Sequence, residues 1–166
     1  MLKHRLVIAL ISLMIASPAL ALVDGDGERY YLIKANDIEW DESGTDNARS
    51  VAFTFGQYLG DRRVASSETE IGITVSDGTV ENQGITGGSE EDWSLMHLGQ
   101  FVSFQNTGPY RVQAKLGFAM MQHEVAGRSE QEFEVAYGAA AILGPVTLEF
   151  TQMGSDFRFL TAGFRF

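Results

Sequence analysis

The chain ends Leu160-Thr161-Ala162-Gly163-Phe164-Arg165-Phe166, and the reading of this stretch decides the fold. In an extended strand successive side chains point to opposite faces. Leu160, Ala162, Phe164 and Phe166 therefore share one face, and Thr161, Gly163 and Arg165 share the other. The preceding segment behaves alike, with Val146, Leu148 and Phe150 alternating with Thr147, Glu149 and Thr151. Gly144-Pro145 joins it tightly to a third segment, where Phe133, Val135, Tyr137, Ala139, Ala141 and Leu143 oppose Glu132, Glu134, Ala136, Gly138 and Ala140.

Further toward the N terminus, Tyr110, Val112, Ala114, Leu116, Phe118 and Met120 form an apolar face against Arg111, Gln113, Lys115, Gly117 and Ala119. Met96, Leu98, Val102 and Phe104 oppose His97, Gly99, Phe101 and Ser103, with Gln100 interrupting the apolar side, where a β-bulge could rescue it and the sequence leaves the choice open. Ile71, Ile73 and Val75 are set against Glu68, Glu70, Gly72 and Thr74, and Val51, Phe53 and Phe55 against Ala52, Thr54 and Gly56. In the first segment, Arg29 to Trp40, the apolar face Tyr31, Ile33, Ala35 is continued by Asp37 and Glu39, which blurs its register.

The pattern predicts eight strands, each near the roughly 9–11 residues that a tilted strand needs to cross a hydrocarbon core. Short connections at Gly60–Arg62, Asn106–Pro109 and Gly144–Pro145 alternate with longer polar ones at Asp41–Arg49, Ser76–Asp92 and His123–Glu130; the last outer connection, Gly154-Ser155-Asp156, is brief. Such alternation marks a barrel with one short-turn rim and one long-loop rim. The fold class expected is all-β: an eight-stranded antiparallel up-and-down transmembrane β-barrel spanning residues 22–166 as one domain.

Residues 1–21 read as an address. Lys3 and Arg5 precede an apolar run from Leu6 to Ala16, Pro18 breaks it, and Ala19-Leu20-Ala21 offers the small residues that signal peptidase recognises, so cleavage after Ala21 is expected. The run falls short of the ~20 residues that span a bilayer as a helix.

Two barrels fit an alternating sheet: a soluble lipocalin-like binder with its apolar face inward, or a membrane barrel with that face outward. The polar faces carry Glu68, Glu70, Glu132, Glu134 and Glu149 with Arg111, Lys115 and Arg165, interleaved with Gly72, Gly99, Gly117, Gly138 and Gly163. Opposite charges among small residues suit a crowded lumen, whereas a soluble exterior would carry Lys and Glu more densely. Tyr110, Phe133, Phe150 and Phe166 near strand ends suit an aromatic girdle. The mean hydropathy near zero is then an average over two unlike faces.

With its leader, alternating strands and terminal Phe164-Arg165-Phe166, the chain resembles the small outer-membrane β-barrels of Gram-negative bacteria, the group of the outer membrane protein A transmembrane domain and the opacity-type proteins. The resemblance implies an outer-membrane location among lipid and lipopolysaccharide, as a monomer. It also implies that Leu160, Ala162, Phe164 and Phe166 form the signal read by the barrel assembly machinery and periplasmic chaperones.

Chemistry is sparse. The 12 Lys and Arg against 22 Asp and Glu remove the basic footprint that nucleic acid requires, and the absence of Cys removes thiol chemistry and Cys-ligated metal. A triad would have to combine His97 or His123 with Ser94 and with Asp92 or Asp156, and no Gly-x-Ser-x-Gly elbow fixes a serine. Asp41, Glu42, Asp46, Glu90, Glu91 and Asp92 lack the ligand spacing of a calcium loop and read as solvated charge. No catalytic residue, cofactor or metal site is expected. The function expected is a structural or surface-interaction role for a barrel whose lumen is closed by a charged network; a small cation-selective porin-like channel and a lipid-modifying enzyme are the alternatives, together with the lipocalin-like binder.

Overall fold

The computed structural model describes residues 28–42, 44–60, 62–81, 90–107 and 110–166. The expected leader, including Ala19 and Ala21, lies outside the described residues, as does the middle of the connection at Ser76–Asp92. Nine strands follow in order: β1 (Arg29–Trp40), β2 (Ala48–Tyr58), β3 (Ala65–Ser76), β4 (Gly78–Glu81), β5 (Glu90–Gln105), β6 (Arg111–Val125), β7 (Arg128–Leu143), β8 (Val146–Met153) and β9 (Phe157–Arg165). All pair antiparallel with their neighbours, β1 closes on β9, and β3 closes on β5. The short β4 continues the line of β3 beyond Asp77 and stays paired to β5, so the wall has eight staves.

Among the described residues, closure leaves no open sheet edge within the apolar band, which is what the lack of water in a hydrocarbon core demands of a β protein. The faces sort as the alternation requires. Leu160 is 67% exposed and Leu116 60%, whereas Lys34 and Lys115 are 2% and 3% exposed. Large apolar side chains on the outside form a band: Ile33 on β1, Phe53 on β2, Ile73 on β3, Val102 and Phe104 on β5, Phe118 on β6, Phe133 and Tyr137 on β7, Leu148 on β8 and Phe164 on β9. A continuous exposed band of this kind fits lipid as its solvent.

Above the band, on the rim opposite the chain termini, the polarity inverts within the same strands. On β1 the outward series Tyr31, Ile33, Ala35 gives way to Asp37 and Glu39, while the inward series Lys34, Asn36 gives way to Ile38 and Trp40. On β6, outward Leu116, Phe118 and Met120 are followed by Gln122 and Glu124, and inward Lys115 by Ala119 and Met121. The outer third thus has an apolar core of Ile38, Val80, Trp93, Leu95, Met121, Met153, Phe157 and Phe159, as a water-soluble barrel would. This inversion is why Asp37 and Glu39 continued an apolar face in the sequence.

The register of β5 is settled and one expected connection is corrected. Gln100 sits on no bulge: β5 keeps an unbroken register with both β3 and β6, and Gln100 faces outward opposite Thr69. Its amide is satisfied there, accepting from Thr69 Oγ1 at 2.8 Å and donating to Ser67 Oγ at 3.2 Å, so the ladder has no need to deform. The connection expected at His123–Glu130 is instead strand almost throughout, with a two-residue turn at Ala126-Gly127. Both turn residues have positive φ, 49° and 75°, the signature of the tight hairpin turn whose twist matches that of its strands.

Backbone approach sets one glycine. A methyl group at Gly117 would run into the carbonyl of Gln100 on β5. Gly117→Val is therefore expected to abolish the compact form that migrates differently before and after boiling in detergent, whereas Gly127→Asn, in open space at a left-handed position that Asn tolerates, is expected to keep it.

Candidate functional site

Four strands aim charged side chains at one level of the lumen. Lys34 comes from β1, Glu68 and Glu70 from β3, Lys115 from β6 and Glu149 from β8. Lys34 Nζ donates to Glu70 Oε2 at 2.5 Å and to Glu149 Oε2 at 2.8 Å. Lys115 Nζ donates to Glu149 Oε1 at 2.8 Å and lies 3.1 Å from Glu68 Oε2 and 3.8 Å from Glu70 Oε2. Each ammonium thus bridges at least two carboxylates. Neutral donors take up further oxygen lone pairs: Tyr30 Oη and Gln113 Nε2 on Glu68 at 2.5 and 2.7 Å, Thr54 on Glu70 at 2.9 Å, and Thr151 on Glu149 at 2.7 Å. His97 Nε2 is 3.0 Å from Glu70 Oε1.

A buried charge is tolerated when it is paired and its remaining bonding capacity is met, and both conditions hold in this cluster. Small residues make the room. A methyl at Gly163 would sit 3.2 Å from Lys34 Cγ, and one at Gly72 would collide with the His97 ring. Phe101 lies under Lys115, with the ammonium 4.3 Å from the ring centre.

The cluster is covered at both ends. Toward the chain termini, the Arg165 guanidinium lies 4.2 Å over the Tyr30 ring and donates to Tyr58 Oη at 2.9 Å. Toward the long-strand rim, Trp40 packs against Trp93 and Phe157 at centroid distances of 5.5 and 5.8 Å, and His123 joins them 5.5 Å from Trp40.

The sequence-predicted luminal residues therefore divide. Glu68, Glu70, Lys115 and Glu149 meet in the cluster. Arg165 faces inward but engages tyrosines. Arg111, Glu132 and Glu134 share the inward parity of their strands, yet none of them makes an ion pair among the described residues: Arg111 lies at the short-turn end, and Glu132 and Glu134 lie toward the opposite rim, half-buried. Lys34, the residue with the shortest ion pair of the cluster, was missed in the sequence, as were Tyr30 and Gln113, which donate to Glu68.

Of the residues that a triad would need, Ser94 faces outward on β5, whereas His97 on that strand and His123 on β6 face inward. Asp156 is hydrogen-bonded by its neighbour Ser155. The acidic connections are engaged locally: Asp41 accepts from Arg158 Nη2 at 3.0 Å, and the Asp46 side chain from Thr79 Oγ1 at 3.1 Å. One group of potential metal ligands occurs among the described residues, His123 with Glu130 and Glu132 at the outer rim.

Neither a protein family nor a curated protein matches the sequence. Solved structures do. Neisserial surface protein A superposes over 82% of this chain and 95% of its own, with a TM-score of 0.54 at 13% identity. The chain has the fold of the small eight-stranded outer-membrane β-barrels. OprG from Pseudomonas aeruginosa matches over 86% of this chain and 98% of its own (TM-score 0.53, 11% identity), and a major outer membrane protein from Thermus thermophilus over 84% and 100% (TM-score 0.50, 11% identity). At such identities the likeness concerns the barrel alone.

Removing one ammonium leaves carboxylates buried without their counter-charge. Lys34→Met is expected to destabilise the barrel by about 3–5 kcal/mol in urea unfolding in micelles. Lys34→Met combined with Glu70→Gln, which removes one charge of each sign, is expected to recover part of that loss.

Proposed function

We propose that this protein is an integral outer-membrane barrel with a closed lumen and a structural or surface-interaction role. The observation that carries the reading is the luminal cluster, in which Lys34 and Lys115 tie three glutamates from opposite walls across the bore, capped by Trp40, Trp93 and Phe157. An eight-stranded barrel is just wide enough for its own side chains, so paired charges at that level fill the bore and leave no aqueous path. Interaction then belongs to the rim, where β5 and β7 run for 16 residues each and outlast the apolar band. Its outward residues include Glu90, Asp92 and Glu124, an acidic, water-facing surface.

Export through the leader, cleavage after Ala21, and delivery to the assembly machinery through Leu160, Ala162, Phe164 and Phe166 complete the proposal. The last four are set for it by position: Leu160, Phe164 and Phe166 are exposed on the outside of the closing strand.

The test joins fractionation to electrical recording. The protein is expected in the outer-membrane fraction with Leu22 as its first residue, and purified barrels in planar bilayers are expected to give no conductance above the lipid background. Discrete cation-selective steps would replace this reading by the channel, which the excess of three carboxylates over two ammonium groups in the cluster would then explain. Recovery in the soluble periplasm would replace it by the lipocalin-like binder.

A further inference from the structure

At the outer rim β6 and β7 place three ligating side chains together. His123 on β6 stands directly opposite Glu130 on β7, and Glu132 follows on the same inward face of β7. One nitrogen of His123 and one oxygen of each glutamate all lie within 4.8 Å of one another. We propose that His123, Glu130 and Glu132 form a binding site for a borderline-soft divalent cation of the Zn²⁺ class.

The imidazole distinguishes this group from the acidic surface around it. His123 is only 7% exposed, and its Nδ1 has no hydrogen-bond partner. Its Nε2, the nitrogen turned toward Glu130, makes no hydrogen bond among the described residues either, so the ring is buried with unmet bonding capacity on the side that a cation would occupy. The ring is held in place by Trp40 and Phe157, at centroid distances of 5.5 and 5.7 Å, so its orientation does not depend on a hydrogen bond. Its Nε2 points at Glu130 Oε2 from 3.7 Å, too far for a hydrogen bond and close to the separation of two ligands that share one cation at roughly 2.0–2.2 Å each.

The glutamates complete the set from the solvent side. Glu130 is exposed and Glu132 half-buried, and among the described residues neither is paired with a lysine or arginine. Small torsions in these side chains bring their oxygens onto a cation held by His123, with a remaining position open to water. One imidazole with two carboxylates suits Zn²⁺, Ni²⁺ or Cu²⁺. Ca²⁺ and Mg²⁺ are hard cations that take oxygen ligands, so the imidazole that defines this group gives them little.

A built-in comparison lies beside it. A recess of about 280 Å³ lined by Asp77, Glu91, Asp92 and Glu124 is more acidic, with four carboxylates, but has no imidazole. The proposal therefore makes different demands on the two places.

The experiment is calorimetric titration of Zn²⁺ into the full barrel without a polyhistidine tag, folded in detergent micelles. One saturable site is expected, undisturbed by excess Ca²⁺. His123→Ala and the pair Glu130→Gln/Glu132→Gln are each expected to weaken it by more than about tenfold, while Asp77→Asn/Asp92→Asn leaves it unchanged. If His123→Ala does not fold, the glutamine pair carries the test, because those residues stand at the rim and the boiled-against-unboiled shift reports whether the barrel has closed. Absence of saturable Zn²⁺ binding, unchanged affinity in the glutamine pair, displacement by Ca²⁺, or an equal loss in Asp77→Asn/Asp92→Asn would each overturn the proposal.

Discussion

Everything in this molecule depends on closing the sheet. β1 must pair with β9, from Leu32 opposite Arg165 to Trp40 opposite Phe157, although the two strands stand at opposite ends of the chain. In lipid no water is available to satisfy an unpaired backbone amide or carbonyl, so an open edge would cost several kcal/mol per group. Closure in turn fixes the bore, and the bore must be filled by the side chains that alternation sends inward.

What fills it differs along the axis because the surroundings differ. Where the outer face meets lipid, Ile33, Leu116 and Leu148 supply the apolar contact and the polar residues go inside. There the inward set is cross-linked by charge: Lys34 on β1 and Lys115 on β6 reach Glu70 on β3 and Glu149 on β8, tying non-adjacent staves. Such pairs set register as well as energy, because sliding any one of these strands by a residue turns its charge into the lipid. Where the strands rise past the lipid, the outer face meets water and the inside becomes apolar, around Trp93, Met121 and Phe157. One chain therefore builds two kinds of barrel end to end on a single ladder.

This division explains what was legible in the sequence. Period-two alternation marked the staves and their lipid faces, because that signal survives wherever the surroundings stay the same for several residues. It failed at boundaries. Lys34 was missed since Asp37 and Glu39, on the same strand, lie above the lipid and made the first segment's face look mixed. Glu132 and Glu134 have the right parity for the cluster but the wrong height, and parity carries no height. Gln100 looked like a defect because its partners Thr69 and Ser67 stand on another strand. The Ala126-Gly127 turn carries no Asn-Gly or Asp-Gly signal, and polar residues flanking it on water-exposed strands read as a loop. The group of His123, Glu130 and Glu132 emerges only once β6 and β7 are in register.

The central claim is that the apolar face of the band lies against lipid and the charged face lies inside. The chain contains no cysteine, so single cysteines can carry a fluorophore at chosen heights and faces. With the protein in bilayers of brominated lipid, labels at outward Leu116, Leu148 and Leu160 are predicted to be strongly quenched, and labels at outward Gln122 and Glu124, above the band on β6, to be spared. Equal and weak quenching at all five positions would contradict the account.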